Sequence, residues 1–241
     1  MGNVPSMRNE TSLHSAVKDW CSLPGDQFEA EVDGFVVDIV RDGLLIEVQT
    51  RNFSAIKEKL KSLLRQHRVR LIYPIAKEKQ IIQVDPVTGR QTRRRRSPRR
   101  GDVCDLFREL IWMPELVLDA NLSIEVLMVK EEEVRCDDGK GSWRRRGTSI
   151  KDRRLVEVVD RAIFAKREDY LKLLPGDLAQ PFTNRSLAMR MDLGISQTRK
   201  MTYCLKKMRA IDEIGRDRNQ RLYITAGNDL RVNNEQGRAV L

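Results

Sequence analysis

Closely spaced turns in residues 27–50 constrain this chain more than any other feature. Phe28, Ala30 and Val32 alternate with Glu29, Glu31 and Asp33, the two-residue period of a half-buried strand. Asp33-Gly34 then reads as a turn, residues 35–40 as a second strand, Arg41-Asp42-Gly43 as another turn, and residues 44–50 as a third strand. Two tight turns between short strands predict an antiparallel meander. The period next lengthens. Ile56, Leu60, Leu63 and Leu64 make an apolar helical side over residues 53–66, and a strongly apolar strand follows at 69–75. A helix between two strands predicts a crossover, with the fourth strand parallel to the third. Upstream, Leu13, Val17 and Trp20 share one face of a helix over residues 10–20, with Glu10 at the start of that face.

Residues 1–76 therefore read as one α/β unit with a mixed sheet. Residues 77–168 read as a basic α+β middle segment that extends this core. A strand is expected at 81–84, a helix at 102–112, a strand at 123–134, a return strand at 143–150 and a helix at 155–166. Trp143 is expected in the core, with stacking on a nucleic acid base as the alternative. Residues 169–226 read as a compact helical unit with a hairpin, and 227–241 as a loose polar tail.

Charge separates these regions. The net charge is +10, yet residues 1–76 carry 10 basic and 10 acidic side chains. Residues 77–154 carry 19 against 14, and 155–241 carry 16 against 11. A positive field of this kind gathers polyanions. No stretch approaches the roughly 20 apolar residues of a membrane span, so no membrane partner is expected. The first residues lack a secretory pattern. Cys21, Cys104, Cys136 and Cys204 are scattered without a metal-ligand spacing. Reduced thiols in a cytoplasmic protein are the expectation.

In the first unit, Asp38, Glu47 and Gln49 carry the chemistry. Leu45, Glu47 and Gln49 share one face of the third strand, and Leu44, Ile46 and Val48 the other. A strand apolar on both sides is central, and an ionised carboxylate there is costly unless paired or bound to a cation. Two carboxylates on adjacent strands suit a hard divalent ion such as Mg²⁺ or Mn²⁺. Glu10 would add a third, and Arg51, Arg68 and Arg70 are alternative ionic partners.

This helix, meander, helix, strand order, with Asp38 and Ile46-Glu47-Val48-Gln49, resembles the PD-(D/E)XK nuclease superfamily over residues 9–76. The resemblance implies a restriction-endonuclease-like core that hydrolyses phosphodiester bonds with metal ions. It casts Asp38 and Glu47 as metal-binding acids, Gln49 at the lysine position and Glu10 as the first-helix glutamate, giving a catalytic set of Asp38, Glu47, Gln49 and Glu10. The sequence departs from the pattern in Val37, which stands at the proline position, in the short Asp38–Glu47 gap and in Gln49. Lys57 and Lys61 on the second helix are expected to face the nucleic acid backbone.

Three segments are expected to grip nucleic acid. The first is the run at 90–100, with Arg93, Arg94, Arg95, Arg96, Arg99 and Arg100. The second is Arg144, Arg145 and Arg146. The third resembles a winged helix-turn-helix over residues 183–225, with Thr183 and Ser196 as N-caps. Its recognition helix would present Gln197, Thr198, Arg199, Thr202, Tyr203 and Lys206, and its wing Arg216 and Arg218. Met201, Cys204, Leu205, Met208 and Ile211 would form its core. The expected function is that of a DNA-binding endonuclease dependent on Mg²⁺, or alternatively a non-catalytic DNA-binding regulator on a degenerate nuclease core. The expected partners are duplex DNA and, in a homodimer, a second copy of the chain.

Overall fold

The computed structural model describes residues 12–226, so Glu10 and the tail at 227–241 lie outside the described residues. A mixed sheet organises the chain up to residue 164. Helix α1 (Ser12–Cys21) is followed by β1 (Gln27–Val32), β2 (Phe35–Arg41) and β3 (Leu44–Val48), the antiparallel meander expected from the turns. Asp33 and Gly34, like Asp42 and Gly43, take positive φ, as tight hairpin turns require. Helix α2 (Phe53–Leu63) crosses over to β4 (Arg68–Val84), which lies parallel to β3. Its partner β6 (Leu122–Asp137) is also parallel, and β7 (Thr148–Phe164) returns antiparallel.

The strand order is β1-β2-β3-β4-β6-β7, and the short strand β5 (Gln91–Arg96) also pairs with β4. β4 pairs with β3 through residues 68–72 and with β5 through residues 80–84, while β6 holds its other edge throughout. β5 therefore continues the line of β3 along one edge of β4. Residues 93–96 of the basic run thus lie in an edge strand, and Arg99 and Arg100 follow it.

The domain boundary expected at residue 76 falls inside β4, and the sheet continues through β7. The helix expected at 155–166 is part of β7. Val156, Val158 and Val159 favour a strand, and pairing with β6 along its whole length overrides a helical spacing. The helix expected at 102–112 shortens to a 3-10 turn (Val103–Leu106) and α3 (Phe107–Leu110).

Each face of the sheet is covered along residues 44–48, 69–75 and 122–129. Leu13 and Val17 of α1 pack against Ile39, Ile46, Val48, Ile72, Leu127 and Val129 on one face. Phe53, Ile56, Leu60 and Leu63 of α2 pack with Val37, Leu45, Val69 and Leu71 on the other. That second core runs on into the C-terminal unit of α4 (Arg167–Leu171), α5 (Asn184–Met191), α6 (Ile195–Lys207) and the hairpin β8 (Ile211–Asp217) and β9 (Gln220–Thr225). Tyr170 stacks on Phe164 at 4.9 Å, and Lys207 pairs with Glu115 at 3.2 Å. Among the described residues no helix is long and apolar enough to cross a membrane. The four cysteines form no disulfide; Cys104, Cys136 and Cys204 are buried.

Candidate functional site

Asp38 sits where the β2–β3 ladder opens. The last backbone pair is Ile39 with Ile46. The next donor, the Val48 N–H, bonds Asp38 Oδ2 at 2.8 Å instead of a backbone carbonyl. Val37 belongs to the core under α2, whereas Ile39, two residues on, belongs to the core under α1. Strand alternation would place both on one face, so the strand is irregular at Asp38, and that irregularity aims its carboxyl at β3.

Glu47 is buried on β3, and Lys59 from α2 donates to its Oε1. Lys59 also bonds the Val36 carbonyl at 2.6 Å. Burial, joined by the nearby Asp38 charge, pushes the Glu47 carboxyl up to about 7, against the pull of Lys59. Burial raises the Asp38 carboxyl too, but hydrogen bonds from His14 and the Val48 amide bring it below its usual range. His14 Nε2 lies 3.4 Å from Asp38 Oδ2 and 2.9 Å from the Val48 carbonyl. The two carboxylates thus interact electrostatically, each braced by a different helix.

Several expected members fall elsewhere. The Gln49 amide donates to the Arg51 and Asn52 carbonyls and so shapes the loop into α2. Glu10 lies outside the described residues. Lys61 pairs with Glu58 on the helix surface, and Arg70 pairs with Glu125 at 3.5 Å. The lysine that reaches the site is Lys59, three residues after Ile56 and four before Leu63 on the apolar stripe of α2. A lysine inside an apolar stripe is the signal that would have found it. Among the described residues, no group of three or more His, Cys, Asp or Glu side chains could hold a metal ion. Asp38 and Glu47 alone supply two coupled carboxylates. Mg²⁺ commonly takes one or two protein carboxylates, with water and substrate phosphate completing its shell, and this donor set fits that pattern.

The basic segments lie on the distal half of the sheet. All six residues of β5 are exposed. Arg94 pairs with Glu132 at 2.9 Å and Arg96 with Glu78 at 2.8 Å. Among the described residues Arg93 and Arg95 have no carboxylate partner, while Arg99 lies 3.7 Å from Asp105. Arg100 is exposed. At the β6–β7 turn, Arg144 and Arg145 fall in a 3-10 turn (Trp143–Arg145), so the expected return strand begins later, at Thr148. Trp143 is 83% exposed and is not a core residue.

In the C-terminal unit, Thr183 caps α5 by accepting from the Ser186 N–H. The N-cap of α6 is Gly194, not Ser196. Met201, Cys204, Leu205, Met208 and Ile211 are buried, as expected. Gln197, Thr198 and Thr202 are also buried, contrary to their expected contact role. Gln197 accepts from Arg108, Thr202 bonds Asn184 at 2.7 Å, and Thr198 bonds the Gly194 carbonyl at 3.3 Å. Their polar groups find partners within the protein, so these side chains pack against neighbours while Arg199 and Tyr203 remain exposed. Lys206 pairs with Glu213 at 2.8 Å; Arg216 and Arg218 are exposed on the hairpin. A cavity of about 1000 Å³ between α5, α6 and the hairpin is lined by Arg185, Met189, Arg199, Tyr203 and Arg221, among others.

Comparison with known proteins gives a family but no activity. An "Uncharacterized protein" of Treponema pallidum (strain Nichols) is 30% identical over 207 residues, covering 86% of this chain and 79% of that protein. No solved structure matches. Residues 11–165, which contain the carboxylate pair, the arginine strand and the whole seven-stranded sheet, match the family described as Domain of unknown function (DUF8091), and the chain belongs to that family.

Proposed function

We propose that this chain binds nucleic acid, with duplex DNA as its main partner, and hydrolyses phosphodiester bonds with Mg²⁺ or Mn²⁺ held by Asp38 and Glu47. In this reading the sheet is a nuclease-type core and the C-terminal unit a winged helix. The observation that carries it is the placement of Asp38 and Glu47 on adjacent strands, where the ladder opens and the Val48 amide fixes Asp38. The metal, when bound, supplies Lewis acidity toward the phosphodiester. Lys59 is the cationic group at the site, a role that Gln49 has no charge to fill. With a metal ion held by Asp38 and Glu47, the Lys59 ammonium would be the group at the site to meet a phosphate oxygen. His14 and the Val48 amide hold Asp38 in its ionised form. Arg93, Arg95 and Arg199 contact phosphates.

The test uses supercoiled plasmid with Mg²⁺ or Mn²⁺. Wild type nicks or linearises it, and Asp38→Asn or Glu47→Gln lowers the rate on the order of 100-fold or more. One observation favours a second reading, a DNA-binding regulator without catalysis: Lys59 already compensates Glu47. Intact plasmid under both metals, with DNA still bound, would decide for the regulator.

A further inference from the structure

The β6–β7 hairpin presents an aromatic ring to solvent on a firmly built turn. Trp143 is 83% exposed, with the Arg144 guanidinium 5.6 Å from its ring centre. The turn beneath is closed by several backbone bonds. The Gly141 N–H donates to the Gly147 carbonyl at 2.7 Å, the Arg145 N–H to Ser142 at 2.9 Å and the Arg146 N–H to Trp143 at 3.0 Å. A Cβ on Gly141 would fall 1.8 Å from the Thr148 carbonyl oxygen, so only glycine fits there. Arg146 and Gly147 take positive φ to complete the turn. The carboxylate at the base of the hairpin, Asp138, is bonded by Ser149 and Lys151 and leaves the arginines alone.

The exposed ring, held on a closed turn with a guanidinium over it, offers a flat apolar face to a partner. Its setting names the occupant. Arg144 and Arg146 are exposed beside it. β4 and β6 run parallel and pair as far as Val84 with Cys136, so this tip lies at the same end of the sheet as the β4–β5 turn, which leads into the arginine strand. A flat ring with the Arg144 guanidinium over it, at the same end of the sheet as the start of the arginine strand, matches the two faces of a nucleotide: stacking for the base, positive charge for the backbone. An intact duplex hides its base faces.

We propose that Trp143 stacks on an unpaired base, so that the substrate class is nucleic acid with a single-stranded segment, such as an overhang, gap or junction, rather than an uninterrupted duplex. The inference rests on the nucleic-acid reading above and adds the feature that the protein selects. Val84 lies 12 residues along β4 from Ile72, the partner of Val48, so the tip stands roughly 40 Å from the carboxylates at the usual rise per strand residue. That distance corresponds to about 12 base pairs of duplex. The unpaired segment would lie about one helical turn from the cleaved bond.

The experiment compares wild type, Trp143→Phe and Trp143→Ala in binding a single-stranded oligonucleotide, a blunt duplex and a duplex with a single-stranded overhang, alongside anionic lipid vesicles. Trp143 fluorescence is read as the difference between wild type and Trp143→Phe. The expected result is quenching by the strand and the overhang. Affinity for both should fall about tenfold in Trp143→Ala, less in Trp143→Phe, with blunt-duplex affinity unchanged. The exposed position keeps the melting temperature the same in all three proteins. Equal affinities for single-stranded and blunt substrates in all three would overturn the stacking role. A fluorescence change with vesicles and none with DNA would overturn it in favour of a membrane surface. The nuclease reading is tested separately: Trp143→Ala leaves Asp38 and Glu47 intact, so unchanged discrimination with retained cutting defeats the stacking role alone, and no nucleic-acid binding by wild type defeats both.

Discussion

The proximal and distal halves of three long strands do opposite work with the same backbone. Residues 122–129 of β6 read Leu-Ser-Ile-Glu-Val-Leu-Met-Val, and residues 130–137 read Lys-Glu-Glu-Glu-Val-Arg-Cys-Asp. β4 changes in the same way after Ala76, and β7 before Leu155. The proximal halves are packed between α1 and α2. In the distal halves Lys79 bridges Glu131 and Glu133, and Arg135 and Arg153 join them. Pairing holds both halves in one sheet, but side-chain chemistry makes one a core and the other a charged platform. The carboxylate pair stands on the proximal half, where burial and fixed hydrogen bonds set its charge. Arg93 and Arg95, which have no carboxylate partner among the described residues, stand exposed on the distal half.

Substitution should separate the halves most clearly in stability. Leu60→Ala, at a fully buried position, should cost about 2–5 kcal/mol in denaturant unfolding. Val87→Ala, 89% exposed at the β4–β5 turn, should stay within about 0.5 kcal/mol. Comparable losses at both sites would erase the distinction.

Binding should show the reverse. Arg93→Ala with Arg95→Ala should leave stability within about 0.5 kcal/mol while weakening DNA binding. The slope of affinity against log salt should fall by about 2. Arg94→Ala with Arg96→Ala should lose less, because Glu132 and Glu78 already engage those side chains. Equal losses from the two pairs would mean that the ion pairs do not sort the arginines.

A further effect concerns pH. Burial and Asp38 lift the Glu47 carboxyl from 4.5 to about 7, so between these values the folded chain holds a proton that the unfolded chain has released. Stability contributed by that proton is present at low pH, falls as pH rises through the window and is gone above about 7. Glu47→Gln should remove that slope, so that the variant gains on wild type across the window. A constant difference from pH 4 to 8 would show that Glu47 titrates normally.

Much of the proximal half is legible in the sequence because period and turns agree there. The two Asp-Gly turns, the α2 stripe and the apolar β4 each point to a single arrangement. The distal half is not legible in the same way. Its strands are charged, so a hydrophobic period cannot mark them, and β5 reads as a simple basic run until its pairing with β4 is seen. Trp143 misled because aromatic residues are usually buried, and the glycine-closed turn that exposes it depends on contacts six residues apart. At the site, Asp38 and Glu47 are placed by strand register and can be read locally. His14 and Lys59 come from two helices on opposite faces, and which carboxylate each one meets is a property of packing. Thr198 and Thr202 show the converse error: polar residues on a helix are not necessarily on its solvent face.

The most direct test of this division measures cutting and holding on one substrate. Single-turnover cleavage at saturating protein, with Mg²⁺, is compared with the dissociation constant measured in Ca²⁺. The account predicts that Asp38→Asn and Glu47→Gln hold DNA as wild type does but cut it on the order of 100-fold more slowly or not at all. Arg93→Ala with Arg95→Ala should bind more weakly yet cut at the wild-type rate once saturated. Cleavage at the wild-type rate by Asp38→Asn and Glu47→Gln would contradict it.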